Sequence, residues 1–275
     1  MAPPSADNTN SEKTLMTPRL LSLGFIACLA LPAAAQNRGD FRWEKALPAG
    51  NEVSIHNING DIKVTPSTNG RVTIVGIKRG NNRDFDRIKA EVQETSHGIT
   101  VCVIQTDSDS YCDDRGVHSH DGRDWDHVSM DLEVAIPSNL TVSAGSVSGN
   151  VDINGANGDV DAGSVSGDIR LTHLRASSVR AHTVSGDVDV RVDAFTGRGD
   201  LSFKSVSGDV TLEVPRAFDA DLSMSTVSGD VNSDFPITIG NGRMSHRRIE
   251  ARIGSGGRRL DVGTVSGSLT LKMAK

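Results

Sequence analysis

From Val53 onward the chain repeats one arrangement: an apolar residue, a second two places on, a third five places on, then a Ser-Gly-type corner. The outer pairs are Val53/Ile58, Val142/Val147, Val160/Val165, Val179/Val184, Leu201/Val206, Leu222/Val227 and Leu260/Val265. Between them stand Ile55, Ala144, Ala162, Ala181, Phe203, Met224 and Val262. Each unit reaches a glycine: Gly60, Gly149, Gly167, Gly186, Gly208, Gly229 or Gly267. Asp61, Asp168, Asp187, Asp209 and Asp230 follow five of these, with Asn150 and Ser268 at the other two. A second alternating pair then begins, as in Val151/Ile153, Ile169/Leu171, Val188/Val190, Val210/Leu212 and Leu269/Leu271. Alternation is the strand period, and the Gly-Asp break is turn chemistry, so each unit reads as strand, corner, strand.

The valines before the corners step by 18, 19, 22, 21 and 38 residues, the last spanning a degenerate copy near Ile237 to Ile253. A unit this short cannot bury its apolar face alone, so neighbours must stack around a shared core that takes the inward side chains. The expected fold is all-β: a β-solenoid, wound as a single-stranded parallel β-helix with coils of about 18–22 residues. The corner glycines, with Gly158, are expected to be structural.

Three segments organise the chain. Residues 1–35 read as a secretory leader, with Arg19, a short apolar run from Leu20 to Leu31, and small residues Ala33 and Ala35 before Gln36. Met16 could be the true start, and Cys28 offers a lipoprotein alternative. Residues 36–136 form an N-terminal β region, and residues 137–275 the regular array, with Pro137 at the join. In the N-terminal region, Arg87 to Glu94 and Ile99 to Gln105 alternate around Ser96-His97-Gly98, which predicts a hairpin, and Val128 to Ile136 reads as a strand. Between them, residues 106–127 carry seven aspartates against Arg115 and Arg123, a solvated acidic loop. Cys102 and Cys112, the cysteines left after the leader, should pair in an oxidising compartment.

Candidate chemistry is sparse. His118, His120 and His127 with Asp121, Asp124 and Asp126 could supply ligands to a divalent cation, but their spacing fits no EF-hand and no His-Glu-x-x-His. A flexible acidic loop is the competing reading, and no cofactor is expected otherwise. The corner aspartates could bind calcium as a ladder or serve the turns; the nonapeptide calcium signature is absent. Residues 145–149 and 163–167 share the serines and the Gly-to-Gly spacing of a nucleophile elbow, yet their duplication argues against a catalytic serine. An acid pair among Asp189, Asp193, Glu213 and Asp219 would suit a carbohydrate-active β-helix. Scarce aromatics and a net charge of −6 argue against nucleic acid and anionic membrane as partners. Arg198-Gly199-Asp200 reads as a lead-in to the strand at Leu201, and the arginines from Arg243 to Arg259 as a solvated last coil.

The repeated Val-Ser-Gly-Asp-Val units, Asp131-Leu132-Glu133-Val134-Ala135-Ile136-Pro137, Asn57-Ile58-Asn59-Gly60-Asp61-Ile62 and the closing Leu260 to Gly267 segment resemble the bacterial putative-adhesin family, a domain-of-unknown-function family. The resemblance spans about residues 40 to 273 and implies an exported β-repeat protein with no catalytic residues to carry over. The Cys102 to His127 insertion stands outside it. The functional expectation is a non-catalytic adhesin-like or envelope structural module in the periplasm, on the outer surface or secreted. Its partner would be an envelope, matrix or protein component, with no transmembrane span in the mature chain. Self-association through the open edges of terminal coils is a further expectation. The alternatives are a carbohydrate-active enzyme and a cation- or stress-responsive envelope sensor.

Overall fold

In the computed structural model the described residues are 41–106, 109–113, 115–118, 128–238 and 244–275. They belong to the unit Asn37–Lys275, so the leader reading, Met16 and Cys28 lie outside them. Each corner sends the chain from one sheet to the other. Thr141–Ser148, Val160–Ser166, Val179–Ser185 and Leu201–Ser207 pair in parallel within a twelve-stranded sheet. Val151–Asn154, Ile169–Ala176, Val188–Phe195 and Val210–Val214 do the same within a ten-stranded sheet. Equivalent residues stand opposite one another: Val142 faces Val160, Val160 faces Val179 and Val179 faces Leu201. The result is a solenoid-like stack in which every coil contributes one strand to each sheet.

Continuous winding holds from Thr141 to Val214, and both ends depart from it. The coil of Arg259–Gly263 and Leu269–Met273 lies between that of Leu201–Ser207 and that of Ala220–Ser225, although it is last in sequence. At the other end, the coil of Glu52–Asn59 and Ile62–Pro66 lies inside that of Gly98–Gln105 and Val128–Ile136. Antiparallel strands then close the stack. Arg248–Ile253 lies on Ala220–Ser225, Ile88–Thr95 on Gly98–Gln105, and Val72–Gly80 on Val128–Ile136. Within the segment expected as a degenerate coil near Ile237 to Ile253, Arg248–Ile253 is therefore a reversed strand. An antiparallel neighbour needs only a short return, whereas another parallel strand needs a full crossover.

One core fills the space between the sheets. It takes Val53, Ile55, Val64, Leu132 and Val134 together with Val142, Ala162, Val179, Phe203, Leu212, Leu260 and Leu271, so it runs unbroken past Pro137. The valines before the corners do not join it: Val147, Val165, Val184, Val206 and Val265 are 45–46% exposed, and Val227 is 65% exposed. Strand parity explains their exposure. Counting by twos from Val142, the inward positions are Ala144 and Ser146, so Val147, at an odd offset of five, points outward.

The inward position before the corner is polar. Asn57, Ser146, Ser164, Thr183, Ser205, Thr226 and Thr264 are all buried. Ser146 Oγ donates to the Gly60 carbonyl at 3.1 Å, Ser164 to Gly149 at 3.0 Å, Thr183 to Gly167 at 3.0 Å, and Ser205 to Gly186 at 2.9 Å. Thr264 and Thr226 continue the series to Gly208 and Gly267. Each hydroxyl thus satisfies a corner carbonyl of the neighbouring coil. The corner glycines are required by that closeness. A Cβ on Gly149, Gly167, Gly186 or Gly208 would lie 2.0–2.2 Å from the carbonyl oxygen of the adjacent coil's corner glycine. Gly158 meets the Leu140 carbonyl in a return loop rather than at a corner.

Candidate functional site

The outer face of the twelve-stranded sheet carries the exposed apolar ladder. In spatial order it runs from half-buried Ile58 through Val147, Val165, Val184, Val206 and Val265 to Val227, with the flanking serines in parallel register. Two residues toward the N-terminus from each ladder residue lies a second column: His56, Gly145, Gly163, His182, Lys204, Gly263 and Ser225. Two glycines side by side remove the side chains that would otherwise cover the sheet, leaving a groove of about 720 Å³. Gly145 and Gly163 form its floor, Ile58, Val147, Val165 and Val184 one wall, and Ser143 and Asp161 the other. His56 and His182 close the ends, three coil spacings apart, about 14 Å.

A hairpin caps the His56 end. Tyr111–Asp113 and Gly116–His118 pair antiparallel, with Cys112 bonded to Cys102 at a Cα–Cα distance of 5.8 Å. Cys102, Ile104, Cys112 and Val117 form a small separate cluster on the outer side of Gly98–Gln105, which is why that strand is buried on both faces. Residues 111–113 and 115–118 are therefore a packed hairpin, where a solvated loop was expected. Tyr111 stacks on His118, with ring centroids 4.7 Å apart, and His118 Nε2 lies 3.0 Å from Asp113 Oδ2. The Arg115 backbone amide donates to Asp113 Oδ1 at 2.8 Å, and this bond above all holds the Asp113 carboxyl below its ordinary range. Under the hairpin, Gly116 lies against the His56 ring, and His56 Nε2 is 2.9 Å from Ser54 Oγ. Burial pushes the His56 pKa below its ordinary 6.5, and nearby Asp113 opposes that shift.

The other sequence-derived candidates disperse. Of the metal candidates, His118 is engaged in the hairpin, while His120, Asp121, Asp124, Asp126 and His127 lie outside the described residues. Among the described residues no cluster of three or more potential ligands occurs. The corner aspartates bond across coils. Asp61 Oδ1 accepts from the Asn150 amide, Asn150 Oδ1 from Asp168, Asp168 from Asp187, Asp187 from Asp209, and Asp209 from Ser268. In the two glycine-serine segments the central residue is Val147 or Val165, and Ser146 and Ser164 are buried donors to carbonyls. Asp193 pairs with His173 at 3.0 Å, Glu213 and Asp189 lie near Arg191 and Arg170, and Asp219 accepts from the Ser255 amide.

Arg258 corrects the solvated-coil expectation. It is 6% exposed, donates to the carbonyls of Ser177, Gly199 and Gly197, and lies 4.2 Å above the Phe195 ring. Gly199 of the Arg-Gly-Asp tripeptide is thereby fixed within a coil return. Sequence reasoning did not find the groove. The signal was there in Gly145 and Gly163, each two places before an odd-parity valine.

The family model of the Toastrack domain of unknown function, DUF4097, matches residues 46–272. No curated protein matches the chain. Among solved structures, a putative cell adhesion protein from Clostridium sporogenes is similar with a TM-score of 0.50 at 8% identity, over 86% of this chain and 100% of its own. A putative adhesin from Bacteroides fragilis gives a TM-score of 0.37 at 14% identity, over 86% of this chain and 98% of its own. At 8% identity the likeness to the Clostridium sporogenes structure is one of fold alone. No helix of the described residues is long and apolar enough to cross a membrane.

Proposed function

Because the chain belongs to the Toastrack family of domains of unknown function, and because its coil stack presents an unpartnered apolar face, we propose that it is an exported, non-catalytic, adhesin-like binding module working from the outer face of the twelve-stranded sheet. The observation that carries the reading is the ladder of β-branched residues beside a glycine-floored groove. A soluble monomer gains nothing by exposing a contiguous apolar stripe, and such stripes mark interaction sites. Rigidity supports it too, since most coils are pinned to the next by ladder bonds, a buried hydroxyl and a corner carboxylate. The non-catalytic part rests on engagement: the Gly-Ser serines and the candidate carboxylates already hold protein partners. A solved structure of similar fold, the putative cell adhesion protein from Clostridium sporogenes, favours the same class.

Protease shaving of intact cells, with a periplasmic protein as lysis control, tests the placement. Selective loss of the chain is expected from a surface adhesin. Protection until the outer barrier is permeabilised would remove adhesion and leave a periplasmic binding role.

A further inference from the structure

We infer that the occupant of this face is a second copy of the chain, paired through the valine ladder with the two coil stacks running in opposite directions. The inference rests on the binding-module reading and names its partner. Three features of the face select that occupant.

The first is period. The ladder repeats at the coil spacing, about 4.8 Å, whereas a peptide strand laid along it would present alternate side chains roughly 6.6 Å apart. A second ladder of this kind repeats at the matching interval over all seven coils, so each ladder residue of one copy can pack against a ladder residue of the other. The second is charge. The chain carries a net charge of −6, which opposes self-association. Yet the columns beside the ladder hold no carboxylate: one is Asn59, Ser148, Ser166, Ser185, Ser207, Ser266 and Ser228, and the other contains His56, Gly145, Gly163, His182, Lys204 and Gly263.

The third is the end stop. The Cys102–Cys112 hairpin rises from the outer side of Gly98–Gln105, just beyond the Ile58 end. Two copies aligned in the same direction would bring their hairpins together. Opposed copies place each hairpin beyond the Val227 end of the other and bring the middle of the ladder, Val184, onto the two-fold axis. The ladder with its flanking columns covers about 29 Å by 16 Å, a footprint of roughly 450 Å² per copy. Stable complexes bury about 800 Å² per partner, so this pairing belongs to the weak, reversible class.

Sedimentation velocity over a concentration series of Asn37–Lys275, the unit that holds every described strand, tests the pairing. A concentration-dependent dimer is expected, weakened at least tenfold by Val165→Ser/Val184→Ser/Val206→Ser. These residues are exposed, so an unchanged thermal melt verifies that the variant folds. A wild type that stays monomeric, or a triple variant that dimerises equally, overturns the inference. Orientation is read by mild oxidation of single-cysteine variants: Val184→Cys is expected to cross-link to itself and Val147→Cys is not. Equal cross-linking of both overturns the opposed arrangement. A monomeric wild type whose coated beads still bind cells or matrix would defeat this inference and leave the binding-module reading in place. Beads that clump with one another and ignore other surfaces are the homophilic result.

Discussion

Two Gly→Ala changes of identical chemistry should have opposite effects. At Gly186 an added Cβ would lie 2.2 Å from the Gly167 carbonyl oxygen, where ordinary contact begins near 3.4 Å. Backbone lies on both sides of that clash, so relief requires adjacent coils to separate by more than 1 Å. That movement stretches the Ile169 amide bond to Asp187 at 2.9 Å and the Gly167 amide bond to Ser185 at 2.9 Å. It also strains the Thr183 hydroxyl bond to Gly167 at 3.0 Å. Two lost bonds at about 1 kcal/mol each, with about 1–2 kcal/mol for an L residue at φ +151°, give about 3–4 kcal/mol. For a domain of this size that lowers Tm by roughly 6–16 °C. At Gly145 an added Cβ meets nothing within 4 Å. There the alanine restricts only the unfolded chain, and Tm should hold or rise by about 1–4 °C. Thermal melts followed by far-UV circular dichroism compare the two directly. Equal losses, or no loss at Gly186, would refute the account of the corner as a backbone-to-backbone contact.

Reduction of the Cys102–Cys112 bond, or the double Cys→Ser variant, should cost about 2.5–3 kcal/mol by the loop-entropy relation and open the segment around Arg115 to trypsin, visible as a new fragment on a gel. Arg258→Met keeps the stem over Phe195 but strips the donors from three carbonyls, so a loss of about 3 kcal/mol is expected in denaturant titration. His56 has a folded pKa below its ordinary value, so the unfolded chain binds the extra proton between the two values. Its contribution is full above about pH 6.5 and is lost as pH falls below that. Melts from about pH 7.5 to about pH 5 should show a steeper acid loss for wild type than for His56→Gln, and parallel curves would contradict the buried-imidazole assignment.

What the sequence revealed followed from local rules. Alternation, corner glycines and the coil period are properties of each unit, so the strand-corner-strand reading needed no knowledge of neighbours. Spatial order is different, because Leu260 pairs with Leu201 and Leu222 alike and its residues are equally suited to several places in the stack. The hairpin at 111–118 was obscured by composition: its aspartates suggested solvent, while Cys112 and Val117 make the contacts that fold it onto Ile104. Arg258 was obscured by its neighbours, since exposed Arg259 and its acidic surroundings gave no sign of carbonyls converging from two other coil returns. The valines before the corners are exposed for a countable reason. Their offset of five from the first anchor is odd, and parity alone places them outside.

The corner ladder shows how the stack tolerates aligned carboxylates. Asp131, Asp61, Asp168, Asp187 and Asp209 each accept an amide from the next coil, so one oxygen is engaged while the charge remains at the surface. In spatial order the column reads Asp131, Asp61, Asn150, Asp168, Asp187, Asp209, Ser268, Asp230. Asn150 and Ser268 divide it into runs of two, three and one. Asn150 retains the acceptor, at 2.8 Å from the Asp168 amide, without the charge. Asn150→Asp should therefore preserve the bond and join the first two runs into six consecutive carboxylates about 4.8 Å apart. Repulsion along the column would lower Tm in low salt. The deficit should close near 1 M salt, where the screening length of about 3 Å falls below the coil spacing. A deficit unchanged by salt would mean that Asn150 is required for its amide geometry, and that charge does not govern the column.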